Sequence, residues 1–229
     1  MYKGKKILAI IPARAGSKRI KNKNIVSFKG KPMIVQTLKV AMKCKYIDKI
    51  VVSSESKKIL NICKKEGVDT PFLREKAFDD KSPIQDATIA CIEQSEKYFG
   101  KYDVVVQLMA NCPLRKLKTL NDSIKNFFKN KKKSQISFFE YAFANPWWAH
   151  KITNKKIIPI DKKNIIRRSQ DLAKLYCPTG SIWISKINTL KKYGTFYSPA
   201  YGYYIMSFIE AIDIDNFEDL EIAKKFHNQ

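Results

Sequence analysis

The feature that most constrains this chain is a repeated switch between short apolar runs and segments of helical period. Lys6 to Pro12, Ile50 to Ser53 and Asp103 to Gln107 carry the runs Ile7-Leu-Ala-Ile-Ile11, Ile50-Val-Val52 and Val104-Val-Val106. Runs this short and this continuous predict strands buried on both faces of a sheet. Helical segments lie between them. One opens at Pro32 with Ile34, Leu38, Ala41 and Met42 in period, and Lys57 to Glu66 forms a second, stopped by Gly67. Ser82-Pro-Ile-Gln85 predicts a third, with Ser82 as N-cap and Pro83 at the first helical position, running to about Phe99. Thr119 to Lys129 is the fourth. Such alternation predicts an α/β domain with a mainly parallel sheet covered by helices. Further strands are expected at Ser134 to Tyr141, Ile182 to Ile184, Tyr203 to Met206 and Ala211 to Asp215, and a last helix near Asn216. Regularity fades between Asn145 and Ser181, a polar and aromatic segment opening with Pro146, Trp147 and Trp148. That segment, 145–181, predicts an inserted lobe or dimer arm.

Charge is the loudest compositional feature: 44 Lys and Arg against 21 Asp and Glu, a formal +23. It invites a nucleic-acid reading. Only six of these residues are arginine, however: Arg14, Arg19, Arg74, Arg115, Arg167 and Arg168. Arginine makes the bidentate contacts to phosphates and bases, whereas lysine is a solvated point charge. Basicity made of scattered lysines reads as solvated faces, so no nucleic-acid partner is expected. No apolar stretch approaches the ~18 residues of a spanning helix, so no membrane partner is expected either. Lys3 to Ile11 imitates a signal peptide, but the apolar run is short and Arg14, Lys18 and Arg19 follow at once. The five cysteines are widely spaced with no CxxC, which predicts reduced thiols in a cytoplasmic protein. Two histidines, His150 and His227, exclude His-rich metal sites.

Two segments carry chemistry. The first is the loop after strand one, Pro12-Ala-Arg-Ala-Gly-Ser-Lys-Arg-Ile-Lys-Asn-Lys-Asn24. Ligands of open α/β sheets bind at the carboxyl ends of the strands. A loop there with Gly16, Ser17 and five cations suits a polyphosphate, although neither GxxxxGK[ST] nor GxGxxG is present. A solvated basic loop is the plainer alternative. The second is Asp213-Ile-Asp215. On a strand these two carboxylates share a face while Ile212 and Ile214 turn to the core, and paired hard oxygens suit Mg²⁺ bound with a substrate phosphate. Read alone, the segment also fits a turn with helix-capping acids before Asn216. Arg167-Arg-Ser-Gln-Asp-Leu172 reads either as a pocket wall or as an exposed loop, and Gln107-Leu-Met-Ala-Asn-Cys-Pro-Leu-Arg115 as a polar turn leaving a strand.

Taken together, the segments resemble a known family. Ile11-Pro-Ala-Arg-Ala-Gly-Ser-Lys-Arg19, Lys23-Asn24 and Gly30-Lys-Pro-Met-Ile34 are similar to the N-terminal signature of the acylneuraminate cytidylyltransferases. The resemblance continues through Pro71-Phe-Leu-Arg74, Asp80-Lys-Ser-Pro83, Asn111-Cys-Pro-Leu-Arg115, Arg168-Ser-Gln-Asp-Leu172, Pro178-Thr-Gly-Ser-Ile182 and Asp213-Ile-Asp215, in order along the chain. It implies one cytidylyltransferase domain over 1–229, with a three-layer αβα, Rossmann-like nucleotidyltransferase fold. It also implies a homodimer that uses CTP, Mg²⁺ and a nonulosonic sugar acid. Residue by residue, it implies that Arg14 and Lys23 hold the CTP phosphates with Gly16, Ser17 and nearby amides, and that Asn24 lines the nucleotide site. Arg74 and Ser82 would contact the cytidine. Asp213 and Asp215 would hold Mg²⁺, with Arg14, Lys23 and Asp213 carrying catalysis. Asn111, Arg168, Gln170 and Asp171 would shape the sugar side. The chain departs from the sialic-acid members at Met109, Cys177 and Thr179, all on that side. A Kdo-type sugar-acid enzyme and a lysine-rich nucleic-acid binder on a degenerate nucleotidyltransferase fold are the alternatives.

Overall fold

The computed structural model describes residues 1–77, 82–141 and 143–227. Chain order begins with β1 (Ile7–Pro12), β2 (Ser27–Phe28), β3 (Lys31–Pro32), α1 (Ile34–Lys43), β4 (Lys49–Ser53), α2 (Lys57–Lys65) and α3 (Ile84–Phe99). It continues with β5 (Val104–Gln107), α4 (Leu117–Lys129), β6 (Ser134–Glu140), β7 (His150–Thr153), β8 (Lys156–Pro159) and β9 (Tyr176–Lys186). It closes with α5 (Ile187–Tyr193), β10 (Gly202–Ile205) and α6 (Phe217–Phe226).

Six strands form one sheet in the order β10-β6-β9-β5-β1-β4. β1 pairs in parallel with β4 and β5, and β10 with β6. β9 runs antiparallel between β5 and β6, so it is the single reversed strand of the six. The apolar runs are buried on both faces, as their continuity predicts. Ile7, Ala9 and Ile11 pack with α1 and α4, while Leu8 and Ile10 pack on the other face with Cys91 and Ile92 of α3 and Leu190 of α5. This is the three-layer αβα arrangement. Among the described residues no helix is long and apolar enough to cross a membrane.

A third, smaller cluster matters most for function. Ile20, Phe28 and Met33 from the segment after β1 are buried against Leu114 and against Ile214, Leu220 and Ala223 near α6. Apolar burial thus ties the front loop to the acidic segment near the other end of the chain.

Several local expectations are corrected. Pro32 does not open α1; it ends the two-residue β3, which pairs with β2 so that Ser27 faces Pro32. α3 begins one residue later than expected, with Pro83, not Ser82, in the N-cap position. Ala211 to Asp215 is not a strand, because no neighbouring strand offers it a ladder; its shape comes from single contacts such as Ile214 N–H to the Asn111 carbonyl at 2.9 Å. β9 begins at Tyr176, inside the segment expected to be irregular, so the excursion from the sheet covers 145–175 and contains the β7–β8 hairpin. The register of β6 on β9 shifts between Ile136, opposite Trp183, and Ser137, opposite Thr179. The resulting bulge in β9 takes Gly180 out of the ladder.

Candidate active site

A cavity of about 490 Å³ opens at the carboxyl ends of β1 and β5. Its lining joins Arg14, Ser17, Lys18, Arg19, Lys23 and Asn24 of the front loop to Arg74, Ser82, Met109 and Asn111, and closes on Asp213 and Asp215. The two ends of the chain meet directly. The Arg19 guanidinium donates to Asp215 Oδ2 at 2.6 Å and the Lys23 ammonium to Asp215 Oδ1 at 2.7 Å. Of the residues implied for the nucleotide and metal, all but Gly16 line this cavity. Gly16 faces open space even with a Cβ added, so no crowding demands glycine there. Of the Asp80-Lys-Ser-Pro83 motif, Asp80 and Lys81 lie outside the described residues.

The front loop is held by contacts within itself and to neighbouring segments. Ala13 N–H donates to the Ser53 carbonyl at 2.9 Å and Ser17 N–H to the Ala15 carbonyl at 3.0 Å. Asn24, buried, donates its Nδ2 to the Arg14 carbonyl at 2.9 Å, so it fixes the loop's shape as well as lining the cavity. At the acidic end, Ile214 is fully buried and leaves its two neighbours facing the cleft. The helix-capping alternative is resolved by Asp219. Its Oδ2 accepts from the Asp215 and Asn216 amides at 2.8 and 2.9 Å, completing a capping box with Asn216. Capping therefore falls to Asn216 and Asp219, and the side chains of Asp213 and Asp215 remain in the cavity.

These two carboxylates differ in environment. Water reaches Asp213, yet it lies on the cleft floor with protein around most of it. That loss of solvation pushes its pKa up to about 6, against the pull of Lys23. For Asp215, desolvation is outweighed by Lys23 and Arg19, and its pKa falls below the ordinary carboxylate range. Asn111 donates to Asp213 Oδ1 and to the Ile214 carbonyl, which orients its amide. Its Oδ1, buried, has no partner among the described residues.

Beneath the cavity, Arg115 is buried at 3% exposure. It donates to Ser181 Oγ at 3.1 Å, Thr37 Oγ1 at 3.4 Å and the Met109 carbonyl at 3.0 Å. Burial lowers its pKa to about 10. Met109 also packs on the β9 bulge, where a Cβ on Gly180 would lie 2.8 Å from Met109 Cγ. A second cavity, about 360 Å³, adjoins the first at Asp213 and is walled by Phe139, Cys177, Phe208 and Ile222 among others.

Arg168, Gln170 and Asp171 line neither cavity. They sit on an exposed 3₁₀ turn, Ser169–Asp171, where Arg168 Nε pairs with Asp171 Oδ2 at 2.8 Å. Neither histidine lines either of these two cavities. Burial pushes the Cys63 thiol up to about 12 and the Cys91 thiol up to about 11, and raises Cys112 as well, so these are packed thiols and not nucleophiles. Sequence reasoning missed Glu55, whose carboxylate accepts from the Ala15 amide and from Arg74. Its only signal was an acid two residues past the end of the second buried strand.

A Rossmann-like sheet with cations and a carboxylate pair at its carboxyl edge defines a nucleotidyltransferase fold. Residues 8–227 match the cytidylyltransferase profile, and the chain belongs to that family. A pseudaminic acid cytidylyltransferase of Campylobacter jejuni is 32% identical over 222 residues, covering 96% of this chain and 95% of that one. A CMP-N,N'-diacetyllegionaminic acid synthase of Legionella pneumophila is 31% identical with the same coverage. Among solved structures, a CMP:2-keto-3-deoxy-manno-octonic acid synthetase complexed with CTP superposes with a TM-score of 0.73 at 15% identity, over 98% of this chain and 99% of that one. At that identity the likeness is one of fold.

Proposed function

We propose that this protein transfers CMP from CTP to the anomeric hydroxyl of a nonulosonic acid of the sialic, pseudaminic or legionaminic kind. The observation that carries the reading is the single cavity in which Arg14, Lys23 and Arg74 face Asp213 and Asp215. The sugar oxygen forms a bond to the α-phosphorus, the bond from that phosphorus to the bridging oxygen breaks, and pyrophosphate leaves with the electron pair. Such a displacement asks the protein for positioning and charge rather than covalent work. Arg14 and Lys23, with Ser17, hold the phosphates; Asn24, Arg74 and Ser82 form the nucleoside side. Phosphate oxygens are the natural competitors for Lys23 and Arg19, which otherwise pair with Asp215.

The carboxylates of Asp213 and Asp215, hard-oxygen donors lining one cavity, fit Mg²⁺ and would hold it. Bound with substrate phosphate, that ion supplies charge stabilisation at the transferring group and lowers the pKa of the attacking hydroxyl.

The adjoining cavity supports an acceptor seated beside Asp213, with Asn111 between the two sides. Its walls of Phe139, Phe208 and Ile222 suit methyl or N-acyl substituents and favour a nonulosonic acid over a plain polyol acid of the Kdo type. Arg168, Gln170 and Asp171 belong to the lobe. Its solvent-facing Ile152, Ile157 and Ile166 support a homodimer in which that surface is covered. Free cysteines support a cytoplasmic enzyme.

The test is pyrophosphate release with N-acetylneuraminic, legionaminic, pseudaminic and Kdo acids, each with all four nucleoside triphosphates. CTP with a nonulosonic acid should turn over. Turnover of Kdo alone overturns the acceptor class, and salt-sensitive duplex binding without turnover overturns the enzyme. Arg14→Ala should chiefly raise the KM for CTP; an unchanged rate at low CTP removes its phosphate role.

A further inference from the structure

Glu55 lies in the loop between β4 and α2, next to the front loop because Ser53 of β4 pairs with Pro12 of β1. Its carboxylate accepts two hydrogen bonds from two separate parts of the cleft. Oε1 accepts from the Ala15 amide at 2.6 Å, and Oε2 from Arg74 Nη2 at 3.1 Å. Ala15 sits between Arg14 and Gly16 in the front loop. Arg74 lines the nucleoside side with its side chain only 2% exposed, and its own amide donates to the Ser54 carbonyl at 2.8 Å.

We propose that Glu55 is a positioning residue for nucleotide binding, one carboxylate that sets the spacing between the front loop and the Arg74 guanidinium. This rests on the reading that the cleft binds CTP. Both partners are donors, so only a side chain that accepts through two oxygens satisfies them together. Glu55 also supplies the negative charge beside two neighbouring guanidiniums, Arg74 and Arg14, whose like charges act against each other. With Nη2 held, Arg74 keeps its buried Nε without a partner among the described residues.

The substitution that isolates the effect is Glu55→Gln. It keeps the length and shape but turns an amide donor toward either Ala15 N–H or Arg74, so one contact must break. Four quantities are measured for wild type and variant: the Kd for CTP with magnesium by calorimetry, the separate KM values for CTP and acceptor acid, and the melting temperature. We expect a CTP Kd weaker by tenfold or more, about 1.4 kcal/mol, with the acceptor KM within twofold of wild type. Glu55→Asp, which restores two acceptors on a shorter stem, should recover part of the loss. If Glu55→Gln does not fold, Glu55→Asp carries the comparison, with an intermediate rise in the CTP values alone. Glu55→Gln should cost less CTP affinity in an Arg74→Gln background than in wild type, since part of the carboxylate's effect passes through the arginine. Fully additive losses overturn the inference, as does an equal rise in both KM values. A wild type that binds no CTP overturns the functional reading; a wild type that binds it and a Glu55→Gln that binds it equally well overturns this inference alone.

Discussion

The cleft and the lobe are built on opposite terms. In and beneath the cleft, Arg115 and Asn111 are buried and Glu55 partly so, and each is fixed by hydrogen-bond partners: Arg115 by Thr37, Met109 and Ser181, Asn111 by Asp213 and Ile214, Glu55 by Ala15 and Arg74. In the lobe the β7–β8 hairpin buries none of its residues, and isoleucines stand in solvent, Ile152 at 74% exposure and Ile157 at 68%. A two-stranded hairpin has little stability of its own. The contrast teaches that the cleft is held together by contacts within this chain, whereas the segment 145–175 leaves apolar side chains in solvent.

The sharpest way to break that contrast is at the carboxylate pair. Asp213→Ala should lower kcat by roughly 1,000-fold or more, as expected for loss of a group that fixes charge at the transferring phosphoryl, while the far-ultraviolet circular dichroism stays that of wild type. Retained turnover in magnesium removes the metal assignment. Next in size is Arg115→Leu, which strips three acceptors of their buried donor and should cost about 2–4 kcal/mol in urea unfolding. Arg168→Ala in the lobe should stay within about 0.5 kcal/mol of wild type, as exposed i,i+3 pairs do. Equal costs at the two positions would erase the distinction between the regions.

Smaller effects sharpen it. Replacing Ile152 and Ile157 together by serine should shift sedimentation from dimer toward monomer with the secondary structure unchanged; an unaltered dimer places the interface elsewhere. The smallest effect is electrostatic. The proton on Asp213 is held more tightly in the folded state, where its pKa is about 6, than at the ordinary 3.8. The folded state therefore carries the extra proton between those values, and stability falls as pH rises through that window. Asp213→Asn removes that loss. It should be more stable than wild type at pH 7, by about 1 kcal/mol at most once water access to the cleft is discounted. Below pH 4 the two proteins should melt together, and a gain that persists there rules out this origin.

Much of this was legible from residue patterns because the physics is local. Val104-Val-Val106 has to be a two-face-buried strand whatever surrounds it, and the loop after β1 has to reach the sheet's carboxyl edge. What escaped was set by partners far along the chain. Asp213 and Asp215 share the cleft without strand geometry, because Ile214 is anchored in the third cluster and Asn216 with Asp219 takes the capping role. β9 starts at Tyr176 because β6 offers it a ladder from Glu140 inward, a pairing that local composition does not encode. Glu55 is one acid among 21 Asp and Glu until Ala15 and Arg74 are seen on either side of it. Arg168, Gln170 and Asp171 were legible as a motif but not as cavity lining, since their position depends on how the lobe leaves the sheet.

The small cluster that ties Ile20 and Phe28 to Ile214 and Leu220 also dictates when the protein becomes competent during its synthesis. Arg19 and Lys23 emerge from the ribosome 196 and 192 residues before the aspartate they pair with. A nascent chain carrying β1, β4 and β5 already has its basic loop but not the aspartate that pairs with Arg19 and Lys23, and the cleft closes only when translation has delivered Asp215 and its helix.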